Sequence, residues 1–448
     1  MTASGSADEA ITTCAELRFL PNMIKDCFYE LYKSHGGTAS RSLFLATFKR
    51  DWEVPNKLKI RKLHQHNPCN DCIHFKVARA EAATPAAHAL VSKQYKQHLD
   101  EMWYDRVVDS RIANLSHDAT RKGAVVQPEH NVISLCLDAM DQSKFRVPRG
   151  GLKLKAKEVK SWWKPHLHVV GCVLDGVVDM LFVLDATVCK DSNCAATCLS
   201  RALERGSRVM HERGLSMPLQ LHIRSDNGNA EVKNQTIMKM AAWMVMRGAF
   251  TSVALGQFRP GHAHFRADQR FSVVSKLMDN LSDEVTLQDP VDFAETIQAG
   301  LDMSAPGVTE VEYVQATHDW KQIFESWELS FHGHVQTAHQ TKQHERAVHV
   351  FKFIQRKHLD AGVELQSGFS EYAEDPRDCI CLTKAYLASA ELSQVPFVCV
   401  PYAKLADLAP FPTLVAPRNK LPQLAEAEFR KSAVKFGGHF LKSKLIVS

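Results

Sequence analysis

Val132-Ile133-Ser134-Leu135-Cys136-Leu137-Asp138 is an apolar, partly β-branched run that closes on a carboxylate. An apolar run of about four to eight residues between turn signals reads as a buried strand. Downstream, His166–Leu174 and Val177–Val188 read as two more strands, joined by the hairpin signal Asp175-Gly176. Together the three are expected to form an antiparallel meander. Asp191-Ser192-Asn193 then offers N-cap side chains for a helix that runs to about Arg213 and stops at Gly214. Pro218–Arg224 follows as a strand, Thr236–Arg247 as a helix, Phe250–Phe258 as a strand and Ala267–Leu281 as a helix.

The order from Val132 is therefore β-β-β-α-β-α-β-α, the order of a ribonuclease H-like core. The expected fold class is α/β, a ribonuclease H-like mixed sheet flanked by helices. Upstream, Ala10–Tyr32, Ser40–Trp52 and Ala86–Leu115 read as helical, punctuated by Gly36-Gly37 and Pro55. Beyond Asp289 the pattern weakens to helix candidates at Trp320–Trp327, His344–Arg356 and Leu382–Leu392 and a short strand at Val395–Tyr402. Three regions result: a helical N-terminal part over 1–127, the α/β domain over 128–288 and an α+β part of unassigned role over 289–448.

A chain of 448 residues exceeds one ordinary core. Its 45% hydrophobic and 23% charged content is that of a globular protein and excludes a disordered one. The longest apolar stretch, Ile237–Phe258, is interrupted by Lys239, Arg247 and Gly256, so no membrane helix is expected. Met1–Ala10 lacks the basic-then-apolar pattern of a secretory signal, and secretion is not expected. The twelve cysteines are scattered, several inside apolar runs such as Cys136, Cys172 and Cys399, which reads as reduced thiols and not a disulfide framework.

Three carboxylates stand at informative places in this order. Asp138 ends the first strand, with Asp141 as its rival; Asp226 follows the fourth strand; Asp268 lies in the first turn of the last helix. Taken singly, an Asp at such a place is ordinarily a turn or cap residue. Taken together on neighbouring strands and a helix crossing their ends, the three would converge. Convergent carboxylates repel unless a cation relieves them. Two Mg²⁺ or Mn²⁺ ions about 3.5–4 Å apart stabilise both the attacking and the leaving oxygen of a phosphodiester displacement.

Asp138 to Arg149, Asp226-Asn227 with Glu231-Val232-Lys233-Asn234, and Gly261-His262-Ala263-His264 with Asp268 resemble the motifs of an uncharacterised domain family found in transposon-derived eukaryotic proteins. That family reads Asp-Gly-Met-Asp-Gln, Asp-Asn with Glu-Asn-Lys-Asn, and Gly-His-Thr-His with a later Asp. The resemblance spans about Leu63 to Asn280. Ala139, Val232 and Ala263 depart from the pattern and leave each acidic position in place, which puts activity, more than fold, in doubt. The Gly-His loop is also similar to that of ribonuclease H, where a His near the metals assists product release; that likeness implies an auxiliary role for His262 or His264. The first helix carries no acid over Cys194–Leu199, unlike ribonuclease H, so a three-carboxylate site of the transposase type is the better analogy.

Cys69-Asn70-Asp71-Cys72 is a Cys-x-x-Cys knuckle with His66 before it and His98 on the following helix. Tetrahedral Zn²⁺ takes four S or N ligands, and Cys69, Cys72, His66 and His98 are the candidate set; the alternative is two unrelated thiols in a polar turn. The net charge is +5, but the basic residues are unevenly placed. Lys144, Arg146, Arg149, Lys153, Lys155, Lys157, Lys160 and Lys164 are interleaved with Trp162 and Trp163 and meet one acid, Glu158. Such a stretch contacts phosphates and stacks on unpaired bases, or else is a solvated lysine face. Lys233 and Asn234 are further candidate nucleic-acid contacts.

The expected function is that of a transposase- or integrase-like protein that cleaves or transfers DNA strands with divalent metals. Asp138, Asp226 and Asp268 would hold the ions. The alternative is a domesticated relative that binds nucleic acid without catalysis. DNA is the expected partner, a homo-oligomer is left open, and the nucleus is the expected location, with the cytoplasm as the other.

Overall fold

The computed structural model describes residues 18–20, 29, 32–33, 35–53, 58–60, 69–122, 124, 126–140, 145–151, 164–184, 186–226, 232–258, 266–282, 284–304, 307–325, 327, 349–359, 375–384, 397–400, 405 and 411–415. The chain divides into two compact units, 1–68 and 69–448. In the first, β1 (Arg18–Leu20) pairs in parallel with β2 (Leu58–Ile60). Between them α1 (Arg41–Thr47), capped by Ser40, runs on into a π-helical turn over Phe48–Glu53. Phe44 packs its ring 4.9 Å from that of Tyr32 and 5.6 Å from that of Tyr29. The helix expected over Ala10–Tyr32 is thus corrected at Arg18–Leu20, where pairing with a distant segment overrides a short helical period.

The second unit opens with α2 (Asn70–Ala80) and the long α3 (Pro85–Ala119), started by Thr84 accepting from Ala87 N with Pro85 at the first helical position. Helix α2 had no counterpart in the expected elements. Then come β3 (Val132–Ala139), β4 (Arg149–Gly150), β5 (His168–Leu174) and β6 (Val178–Leu184). The β5–β6 hairpin turns on Asp175-Gly176, closed by Val177 N donating to the Leu174 carbonyl at 3.0 Å, with Gly176 at φ +85°. Helix α4 (Ser192–Glu212) begins where the Asp191 carboxylate accepts from Asn193 N and Cys194 N, and Gly214 follows it at φ +72°. After it run β7 (Gln220–Ser225), α5 (Gln235–Met246), β8 (Ser252–Gln257), α6 (Arg266–Asp279), β9 (Thr286–Leu287) and α7 (Pro290–Ser304). The described chain ends with β10 (Thr309–Val314), β11 (Thr317–His318), α8 (Trp320–Glu325), β12 (Val350–Gln355), β13 (Cys379–Lys384), β14 (Phe397–Val400) and β15 (Leu414–Val415).

Among the described residues, nine strands make one mixed sheet in the order β10-β6-β5-β3-β7-β8-β12-β13-β14. Strands β3, β7 and β8 are parallel, whereas β5 is antiparallel to both β3 and β6. On one side β10 runs parallel to β6, and on the other β12 runs antiparallel to β8. The alternation of side chains along β3 divides the core. Ile133, Leu135 and Leu137 pack with α4 and α5 on one face, while Cys136 joins Val169, Phe271 and Phe293 beneath α6 and α7 on the other. Helix α3 lies along the second face, where Ser116 Oγ donates to the Asp175 carbonyl at 2.7 Å and accepts from Ser134 N at 3.0 Å.

Two expectations for the C-terminal part are corrected. His344–Arg356 and Leu382–Leu392 are read as helices, but Val350–Gln355 and Cys379–Lys384 are paired strands, which corrects the reading over 350–355 and 382–384; 344–348 and 385–392 lie outside the described residues. Short apolar runs carry no decisive period, and the open edge of β8 selects the extended form by supplying a hydrogen-bonding partner. Strands β10 and β12–β14 extend the same sheet on its two sides, and α2 and α3 belong to the sheet's unit. Among the described residues no helix is long and apolar enough to cross a membrane.

Candidate functional site

A cleft opens at the carboxyl ends of the central parallel strands. Asp138, near the end of β3, and Asp226, one residue past β7, both line it, together with Lys190, Asp191, Cys194 and Val232. The placement follows from register: Leu137 pairs with Ser225, so the next residue of each strand emerges at the same edge of the sheet. Asp138 Oδ1 accepts from Ala139 N at 2.8 Å. Asp191 caps α4 with one oxygen, and its other oxygen meets Lys321 Nζ at 2.6 Å. Sequence reading assigned Asp191 a capping role only and did not single out Lys190; a lysine directly before a helix N-cap on a strand-to-helix turn was the available signal.

Asp268 lies in the first turn of α6, exposed, and is not among the residues lining this cleft. Helix α6 crosses β5 at Gly171, the register partner of Asp138, where a Cβ would stand 3.1 Å from the Phe271 ring and 3.3 Å from Ala267 Cβ. Its neighbours Arg266 and Arg270 turn toward the β5–β6 hairpin and pair with Asp175 and Asp179 at 2.8 and 2.5 Å. Among the described residues, the three aspartates do not form a group whose ligand oxygens lie within 4.8 Å of one another. Asp141, His262 and His264 lie outside the described residues.

A buried ion network joins β7, α3 and the β5–β6 hairpin. Arg224 on β7, 3% exposed, donates to both oxygens of Asp109 on α3 and to Asp175. Burial drives the Asp109 carboxyl above its ordinary value, and the Arg224 charge opposes that rise.

The second candidate is a metal centre. Cys69 precedes α2, Cys72 sits in its first turn and His98 lies midway along α3, and the donor atoms of all three lie within 4.8 Å of one another. His98 Nε2 stands 3.6 Å from Cys69 Sγ and 3.5 Å from Cys72 Sγ. With Zn–S near 2.3 Å and Zn–N near 2.0–2.1 Å, a tetrahedral edge between S and N spans about 3.6 Å. The group therefore fits a metal ion such as zinc. The hydrogen bond to Cys69, then burial, raises the Cys72 thiol above its ordinary range, a tendency that a bound cation reverses. The Phe75 ring shields His98 at 5.8 Å. His66, the expected fourth ligand, lies outside the described residues.

Of the basic stretch, Arg146, Arg149 and Lys164 are described. Burial, then the charges of Arg146 and Arg149, lowers the Lys164 ammonium below its ordinary value, so the three share one electropositive locality. Arg149 lies over the Phe145 ring at 5.7 Å and 3.4 Å from Asp279. Lys144, Lys153, Lys155, Lys157, Lys160, Trp162 and Trp163 lie outside the described residues. Lys233 is 3% exposed, and burial pulls its ammonium down to about 8. Asn234 caps α5, accepting from Ile237 N at 3.1 Å, so its side chain is committed to the helix.

Residues 157–360 match the family model of a domain of unknown function, DUF7869. The matched stretch contains Asp226, Asp268 and Lys233 and begins after Asp138 and the Cys69–Cys72–His98 group. No curated protein and no solved structure matches the chain.

Proposed function

We propose that the chain is a ribonuclease H-like polynucleotide-processing protein of the transposase or integrase type, acting on DNA with divalent metal ions. The observation that carries this reading is the presence of Asp138 and Asp226 in one cleft, at the carboxyl ends of adjacent parallel strands. The strand order β6-β5-β3-β7-β8, with β5 reversed, supports the fold assignment. Mg²⁺ or Mn²⁺ held by these carboxylates would supply charge neutralisation at the phosphodiester and an activated nucleophile. The chain's own part is to hold the two carboxylates on a rigid sheet edge. Asp268 is proposed as a third ligand, carried by the helix that crosses beside Asp138. Arg146, Arg149 and Lys164 are proposed contacts for neighbouring phosphates, and Zn²⁺ at Cys69, Cys72 and His98 would staple α2 to α3.

The test is cleavage and strand transfer of labelled DNA in Mg²⁺ or Mn²⁺ by the wild type and Asp226→Asn. Activity in the wild type that is lost in the variant supports the reading. A folded, DNA-binding protein inactive in both forms overturns the catalytic part. A second reading, a nucleic-acid-binding protein without catalysis, is favoured by the exposed place of Asp268 outside the cleft lining; it is the one that such an outcome would leave.

A further inference from the structure

Helix α6 carries charged residues on two flanks of a buried stripe. Ala267, Phe271, Val274 and Met278 form the stripe and pack against the sheet. At about 100° per residue, Arg266 and Arg270 fall on one side of it, and Asp268 and Asp279 on the other. The first flank is tied down twice: Arg266 donates to Asp175 Oδ1 at 2.8 Å, and Arg270 donates to Asp179 Oδ2 at 2.5 Å, so both reach toward the β5–β6 hairpin. The second flank meets the chain that leaves β3, for Asp279 pairs with Arg149 at 3.4 Å.

Asp175 also joins α6 to the centre of the sheet. Its Oδ1 takes Arg266 while its Oδ2 takes Arg224, and the carboxylate is fully buried. Arg224 stands two residues before Asp226, and Arg266 two residues before Asp268. One carboxylate thus links the strand that leads to Asp226 with the helix that carries Asp268. Asp138 is reached through Gly171, its register partner, where a Cβ would stand 3.3 Å from the Cβ of Ala267, the residue before Asp268. The bare backbone at Gly171 lets α6 settle on β5 at the level of Asp138.

We propose that Asp175 and Asp179, through Arg266 and Arg270, are positioning residues that set the rotation of α6 and keep Asp268 on the flank away from the hairpin. The inference rests on the reading of Asp138, Asp226 and Asp268 as ligands of divalent metal. Asp268 is exposed and outside the cleft lining, so what it reaches is governed by how α6 is held. Rolling the helix out of this setting would break both pairs and strand Asp179 out of water, a cost that opposes the roll.

The full-length chain is titrated with Mn²⁺, the free ion being read by electron paramagnetic resonance, as wild type, Asp226→Asn, Asp268→Asn, Arg266→Gln, Arg270→Gln and Arg270→Lys. Arg205→Gln, which removes a partner of Glu310, is the control for an ion pair lost elsewhere. Arg266→Gln and Arg270→Gln are each expected to weaken Mn²⁺ binding about tenfold, as groups that orient a ligand do, and the two aspartate variants to weaken it further. Arg270→Lys recovers part of the loss, and Arg205→Gln binds like the wild type. Arg266→Gln carries the test if Arg270→Gln does not fold, since Asp175 keeps Arg224. Arginine variants that bind like the wild type, or no more weakly than Arg205→Gln, while Asp268→Asn is impaired, overturn the positioning role and leave the metal reading standing. Wild-type binding by Asp268→Asn, with Asp226→Asn impaired, overturns the inference and confines the metal to Asp138 and Asp226. A wild type that does not bind Mn²⁺ overturns the metal reading and the inference with it.

Discussion

Arg224 donates to both carboxylate oxygens of Asp109, each at 2.8 Å, joining the centre of the sheet to the long helix α3. Its other terminal nitrogen reaches Asp175, which is fully buried in the hairpin turn and also accepts from Arg266. A buried ion pair gains little over an apolar contact while intact, but loses much when one partner is removed, because a charge is then stranded out of water.

Asp175→Asn is therefore expected to destabilise the protein by about 3–5 kcal/mol. The control is Asp279→Asn, which removes an exposed partner of Arg149 and should change stability by less than about 1 kcal/mol. Urea denaturation of the three proteins checks the contrast; equal midpoints for the two variants would remove the network from any structural role.

His222 supplies a pH dependence. Burial, then the charges of Arg224, Lys352 and Lys384, holds its imidazole down at about 3 against an ordinary 6.5. The unfolded chain takes up a proton below 6.5 and the folded chain does not, so this contribution is intact above that value and declines as pH falls toward 3. The decline amounts to about 2 kcal/mol by about pH 5. Thermal unfolding of wild type and His222→Leu between pH 7 and about pH 5 should show a flatter profile in the variant.

Chelation tests the metal centre. Zinc content should approach one ion per chain in the wild type and fall sharply in Cys72→Ser and His98→Ala. Stripping the ion should lower the melting temperature of the wild type and leave that of the variants unchanged, since only a ligand bound to the native state stabilises it.

Gly176 and Gly214 separate crowding from backbone strain. Both have positive φ, but a Cβ at Gly176 would stand 2.3 Å from Thr120 Oγ1 and 3.1 Å from His117 Cα, whereas nothing lies within 4 Å at Gly214. Gly176→Ala should cost about 1–3 kcal/mol more than the roughly 1 kcal/mol expected of Gly214→Ala. Calorimetry on the two variants measures the difference; similar losses would show that α3 gives way at the hairpin.

Much of the fold was legible because its signals are local. Asp191 and Gly214 delimit α4, Asp175-Gly176 turns the hairpin, and the unbroken apolar run from Val132 makes a central strand. Arg18–Leu20 and Val350–Gln355 were misread as helical for the opposite reason: each is extended through a partner far along the chain, and three or six residues alone do not carry a period.

By itself the sequence determined the spacing of the Cys69–Cys72 pair, the carboxylates that follow β3 and β7 and the β-β-β-α-β-α-β-α succession, all of which depend on residues close in the chain. Only the tertiary structure decided that His98 stands 3.5 Å from Cys72, that Lys190 shares a cleft with Asp138 and Asp226 while Asp268 does not line it, and that Lys233 is buried. Those outcomes turn on strand register, on which way a helix faces and on what water is excluded, quantities that exist only once distant segments have packed.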